Sequence, residues 1–188
     1  MEIEVSKASE VARRLHQKLS ERTLLIHPFV LMGNTEFLVI VSPDAKEGIE
    51  DGGNIYIDID GYEFTFNYGF SHMHLGYSNE TLDDDIDSIV NLTMDVIEHR
   101  IAGYYHISTE GSKRMGFFPF ENDEDIYAAF LIKDLKEVYC RINGYEKKPT
   151  VDELIELSSN IENKEQATLY YVLFGEDVVT HKFYIEEE

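Results

Sequence analysis

Cysteine is almost missing from this chain: Cys140 stands alone among 188 residues. A single thiol excludes an internal disulfide framework and points to a reducing compartment. Basic side chains are scarce as well, 16 Lys and Arg against 37 Asp and Glu, for a formal charge of −21 at pH 7. Direct nucleic-acid binding needs a positive footprint, so this balance argues against it. No apolar run approaches the length of a membrane span, and the opening residues MEIEVSKASE carry no basic-then-apolar signal. The expectation is a soluble cytoplasmic protein with no membrane partner.

Familiar active-site patterns are missing too. There is no G-x-S-x-G elbow, no G-x-x-x-x-G-K phosphate cradle, no G-x-G-x-x-G, no H-E-x-x-H and no C-x-x-C. Cys140 follows Val138 and Tyr139, the setting of a packed thiol rather than a nucleophile. The run Asp83-Asp84-Asp85-Ile86-Asp87 lacks the interleaved glycine and terminal glutamate of a calcium loop, and fits a helix start better. Neither a cofactor nor a catalytic residue is implied.

What remains is globular. The chain is 43% hydrophobic, with 12 Tyr and 11 Phe, too apolar for disorder. A chain of this length can bury about 70% of its unfolded surface, so residues 1–188 are expected to form a single domain.

Its most structured stretch is NIYIDIDGYEFTFNYGFSHMHLGY, residues 54–77. Asp60-Gly61 between two alternating runs is a hairpin signal. A turn there sets Ile59 opposite Tyr62, Ile57 opposite Phe64 and Ile55 opposite Phe66 on one apolar face. The other face pairs Asp58 with Glu63 and Tyr56 with Thr65. Like charges across a ladder repel. Either solvent screens Asp58 and Glu63, or that face awaits a cation or a basic partner. Beyond it, Gly69 and Ser71 suit a bulge that would flip the parity of His72 and His74. Two imidazoles in an H-x-H arrangement on one strand face fall short of a zinc site, which takes three or four ligands.

Helical stripes flank the hairpins. Residues 6–22 carry Ala8, Val11, Ala12, Leu15 and Leu19 at helical spacing behind Ser6 as N-cap, with the Arg and Lys residues on a solvated face. A second helix spans about 79–101 behind Asn79, with Leu82, Ile86, Ile89, Val90, Thr93, Ile97 and Ile101 as its stripe and Gly103 closing it. Residues 126–142 read as a helix that competes with a strand, and Asn143-Gly144 as its cap or a hairpin turn. Thr150 and Glu153 form a capping box for a helix over 151–161. Strands are expected at 29–32, 36–41, 104–108, 115–120, 168–174 and 178–185. The fold class is α+β: a largely antiparallel sheet built from hairpins, with about four helices packed on it.

The run GYEFTFNYGFSHMHLGY and the acidic amphipathic helix after it resemble a pattern in immunity proteins of bacterial polymorphic-toxin systems. There a strand, an aromatic-rich H-x-H segment and a helix recur in small acidic α+β proteins. The resemblance covers residues 54–101 or so and implies a protein that neutralises a toxin by binding.

Charge placement suits that role. Residues 1–27 hold five basic and four acidic side chains, leaving 33 acidic against 11 basic in the rest. Such a field steers basic partners in quickly. The expected contact face is Asp58, Glu63, Asp83, Asp84 and Asp87, with Tyr56, Tyr62 and Tyr77 as anchors. Two alternatives stand beside it. One is a metal-dependent enzyme using His72, His74 and a carboxylate of the adjacent helix. The other is an acidic regulatory adaptor.

Overall fold

The computed structural model describes residues 1–42, 53–61, 63–75, 81–108, 111–160 and 167–183. The fold class is α+β, with four α-helices among the described residues and antiparallel strands divided between two sheets. The chain forms two compact units. The first holds Met1–Tyr104, Met115–Pro119 and Tyr171–Val178; the second holds Tyr105–Arg114, Phe120–Tyr170 and Val179–Glu188.

The first unit is built on a six-stranded antiparallel meander in sequence order: β1 (Glu2–Ile3), β2 (Phe29–Met32), β3 (Thr35–Ile40), β4 (Ile55–Asp60), β5 (Glu63–Tyr68) and β6 (Ser71–Leu75). The central hairpin keeps the expected parity but shifts its register by two. Asp60 pairs with Glu63, Ile59 with Phe64, Ile57 with Phe66 and Ile55 with Tyr68. The turn therefore follows Asp60 and includes Gly61. Gly61 takes φ +61°, the positive value that a primed hairpin turn requires at its first central position. Because the shift is even, every isoleucine stays on the apolar face. The bulge expected at Gly69 is instead a second tight turn, Gly69-Phe70, with Gly69 at φ +56°. It sends β6 back along β5, pairing Asn67 with His72 and Thr65 with His74.

One face of this sheet is sealed. Leu38, Ile40, Ile55, Ile57, Phe64 and Phe66 are fully buried, and they share a core with Ala12, Leu15 and Leu19 of α1 (Glu10–Ser20) and Ile86, Ile89 and Val96 of α2 (Leu82–Ile97). Each such side chain contributes about 1.5–3 kcal/mol on burial, so alternation alone decides which face the helices cover.

The helix ends correct the sequence reading. α1 starts later than Ser6 allows: Ser6 lies in a 3-10 turn (Val5–Lys7), and Ser9 is the N-cap, its Oγ accepting from the Ala12 N–H at 3.2 Å. Ser9 also donates its N–H and hydroxyl to the Glu36 carboxylate on β3, which places an anion at the helix N-terminus. Thr81 caps α2 and closes a box with Asp84; Asn79 lies outside the described residues.

At its C-terminus α2 stops four residues short of Ile101, which begins β7 (Ile101–Ile107). The stop is a Schellman motif. Arg100 N–H donates to Asp95 O (2.7 Å) and His99 N–H to Val96 O (3.1 Å). His99 occupies the left-handed position at φ +59°, uncommon for a non-glycine residue. Its Nε2 bonds Phe174 O at 2.7 Å, an anchor glycine could not supply. Gly103, read as the helix closer, lies within β7, where a Cβ would meet Tyr68 O at 3.1 Å.

The second sheet has the order β10 (Val179–Phe183), β9 (Ala167–Val172), β7, β8 (Lys113–Pro119). The second unit carries α3 (Asp123–Asn143) and α4 (Val151–Asn160). The helical reading of 126–142 holds, and Gly144 caps it at φ +95° with its N–H on Cys140 O. The Thr150–Glu153 box is present: Glu153 accepts from the Thr150 N–H (2.8 Å) and hydroxyl (2.9 Å). Glu153 also accepts from the Tyr139 hydroxyl at 2.7 Å, tying α4 to α3.

Candidate functional site

Opposite the sealed face, the same strands present a different surface. β3 contributes Phe37 and Val39, β4 Tyr56, Asp58 and Asp60, β5 Glu63, Thr65 and Asn67, and β6 His72 and His74. The register aligns them in two rows across the sheet. One runs Phe37, Asp58, Thr65, His74; the other runs Val39, Tyr56, Asn67, His72. Both helices of this unit pack on the other side. The sheet thus grades from an apolar half on β3 to an acidic and imidazole-bearing half on β4–β6.

The like-charge pair exists, but between Asp60 and Glu63 rather than Asp58 and Glu63. Asp58 faces Thr65 because the turn lies one residue later than Asp60-Gly61 implies. Burial pushes the Asp58 carboxyl above its ordinary value, while a hydrogen bond from Asn67 and the charge of His72 pull it back. His74 Nδ1 lies 2.9 Å from Glu63 Oε1 and 3.1 Å from Thr65 Oγ1. The His72 and His74 rings meet edge to face, 5.2 Å between centroids. Tyr56 is 39% exposed, and its hydroxyl accepts from Asn54 Nδ2 at 3.3 Å.

The α2 acids do not join this surface. Asp83 pairs with Arg14, and Lys18 Nζ lies 2.6 Å from Asp87 and 3.9 Å from Asp83. Asp84 accepts from the Thr81 hydroxyl and N–H, which hold its carboxyl below the usual range with help from Lys18. Two of the α1 cations read as a solvated face, Arg14 and Lys18, are the partners of Asp83 and Asp87. A single contact face combining Asp58 and Glu63 with Asp83, Asp84 and Asp87 is therefore not formed: the sheet separates the two groups. Tyr62 and Tyr77 lie outside the described residues. Asp60 and Asn67 were missed as neighbours of the site, although Asp60 shares the parity of Asp58; assigning it to the turn hid it, while Thr65 lies on the expected face with Asp58 rather than Tyr56 opposite it.

The metal reading meets the same separation. A carboxylate from α2 would approach from the far side of the sheet. No group of three or more His, Cys, Asp or Glu among the described residues is arranged to hold a metal ion.

Two features of the second unit went unforeseen. His106, 1% exposed, lies with Nε2 3.1 Å from Oδ2 of the buried Asp134 and packs its ring on Phe130, a polar and aromatic contact between β7 and α3. Between α3 and α4 runs an apolar groove of about 560 Å³, with Ile132, Val151 and Ile155 exposed along it. No helix among the described residues is long and apolar enough to cross a membrane. Compared with known proteins, the chain matches no family model, no curated protein and no solved structure.

Proposed function

We propose that this chain is a binding protein of the immunity type, which neutralises a basic toxin or enzyme by electrostatically steered association. The observation that carries the reading is the division of its acids. Those on α2 are paired within the chain, whereas Asp58, Asp60 and Glu63 stand together on the sheet face opposite the helices, beside the half-exposed ring of Tyr56. A basic enzyme that handles phosphates would meet these carboxylates as substitutes, drawn in by the net charge of −21. Tyr56 and the neighbouring Phe37 would supply the desolvated anchor that binding energy concentrates on.

The test pairs capture with kinetics. Immobilised full-length protein is exposed to host lysate beside an Asp58→Asn/Asp60→Asn/Glu63→Gln variant, and the retained partner's association rate is followed against salt. The reading expects a basic partner held by the wild type, weakened on the variant, and associating at least ten-fold more slowly at high ionic strength. A partner that is acidic, or indifferent to both salt and substitution, would sink it.

A further inference from the structure

The docking face carries its own counter-charges. His72 and His74 sit on β6 in the same two rows as Asp58 and Tyr56, with His74 in contact with Glu63. All five positions of β6 are exposed or half-exposed. Imidazole is the side chain that changes charge between pH 5 and 8, while carboxylates ordinarily ionise below that range. Among the described residues, the titratable groups that share these rows with the two histidines or flank them are Tyr56, Asp58 and Asp60 on β4 and Glu63 on β5; β3 contributes only uncharged side chains, and Glu2 on β1 lies at the far edge of the sheet.

We propose that His72 and His74 form a pH-operated gate on this face, releasing a basic partner when protonated. The gate rests on the docking reading above and adds to it how docking is regulated. With both rings neutral, the β4–β6 half of the face presents, among the described residues, three carboxylates, Asp58, Asp60 and Glu63, and no cation. With both protonated, two positive charges stand beside those three negative ones, and the pair at 2.9 Å becomes a full ion pair between His74 and Glu63. An incoming lysine or arginine must then displace an internal cation and approach another. Close like charges across an interface weaken binding and slow encounter.

The experiment uses the full chain and a fluorescently labelled deca-arginine peptide as probe, with affinity read by anisotropy at low ionic strength at about pH 7.5 and pH 5.5. The wild type is expected to lose about ten-fold in affinity on acidification, and a His72→Gln/His74→Gln variant no more than about two-fold. A His72→Lys/His74→Lys variant, charged throughout, is expected to bind weakly at both values. Equal acid sensitivity in the wild type and the Gln variant would overturn the gate and leave the docking reading standing. If Asp58→Asn/Glu63→Gln left probe binding at pH 7.5 unchanged, the docking face itself would fail, and the gate with it.

Discussion

The two faces of the six-stranded sheet are made from the same residues taken alternately, yet they obey different rules. Ile55, Ile57 and Ile59 point into a core sealed by α1 and α2; Tyr56, Asp58 and Asp60, interleaved with them, point the other way. On the sealed face the positions of β4 and β5 are apolar or aromatic and almost fully buried. On the outer face apolar, acidic and imidazole side chains are mixed, and two carboxylates face each other across a ladder. Packing explains the first arrangement completely. It does not explain the second, where the chain retains groups that cost stability. Such violations of local rules concentrate where a surface is kept for binding.

The sharpest way to break this contrast is to substitute neighbours on β4. Ile57→Ala removes a fully buried side chain from between the helices and the sheet, and is expected to cost about 2–5 kcal/mol in urea unfolding. If it cost no more than an outer-face substitution, the sealed core would be wrongly placed.

The next effect separates acids that serve the fold from acids that do not. Thr81→Ala removes the N-cap of α2 and is expected to cost about 1 kcal/mol. That loss has a pH dependence of known sign. The Asp84 carboxyl is held down by the Thr81 hydroxyl, so its contribution is present above the unfolded carboxylate value and lost as pH falls through the lowered one. The stability gap between wild type and Thr81→Ala should therefore narrow in acid.

Asp58 should behave in the opposite sense and by less. Its carboxyl is pushed up by burial, so the wild type loses stability as pH rises from the unfolded value through the raised one, and stays lower above it. Asp58→Asn is thus expected to raise stability at neutral pH, by about 0.5 kcal/mol or less given its partial exposure, and to converge with the wild type in acid. A loss of stability at neutral pH would show that Asp58 serves folding, which would blur the difference between the faces.

Local signals were readable from the sequence and distant ones were not. The Thr150–Glu153 box spans three residues, and the stripe from Ala8 to Leu19 repeats on every turn, so both are written locally. Strand parity survived an error in the turn because a shift of two leaves each side chain on its face. The exact register depended on whether Asp60 belonged to the turn or to the strand, and Gly61 suits a turn in either case. The Gly69-Phe70 turn was hidden by an apolar residue in a turn position. Which acids would be engaged was beyond local reading: Arg14 and Asp83, like Lys18 and Asp87, are 69 residues apart. Pairing at that distance depends on how α1 lies on α2, which no periodicity records.

The central claim is that the acids available to a partner are those of the outer sheet face and not those of α2. The direct measurement is the association rate of the captured basic partner with two variants of matched charge loss, Asp58→Asn/Glu63→Gln and Asp83→Asn/Asp87→Asn. The account predicts that the sheet variant slows association several-fold more than the helix variant, because Asp83 and Asp87 are already neutralised by Arg14 and Lys18. Equal slowing, or greater slowing by the helix variant, would contradict it.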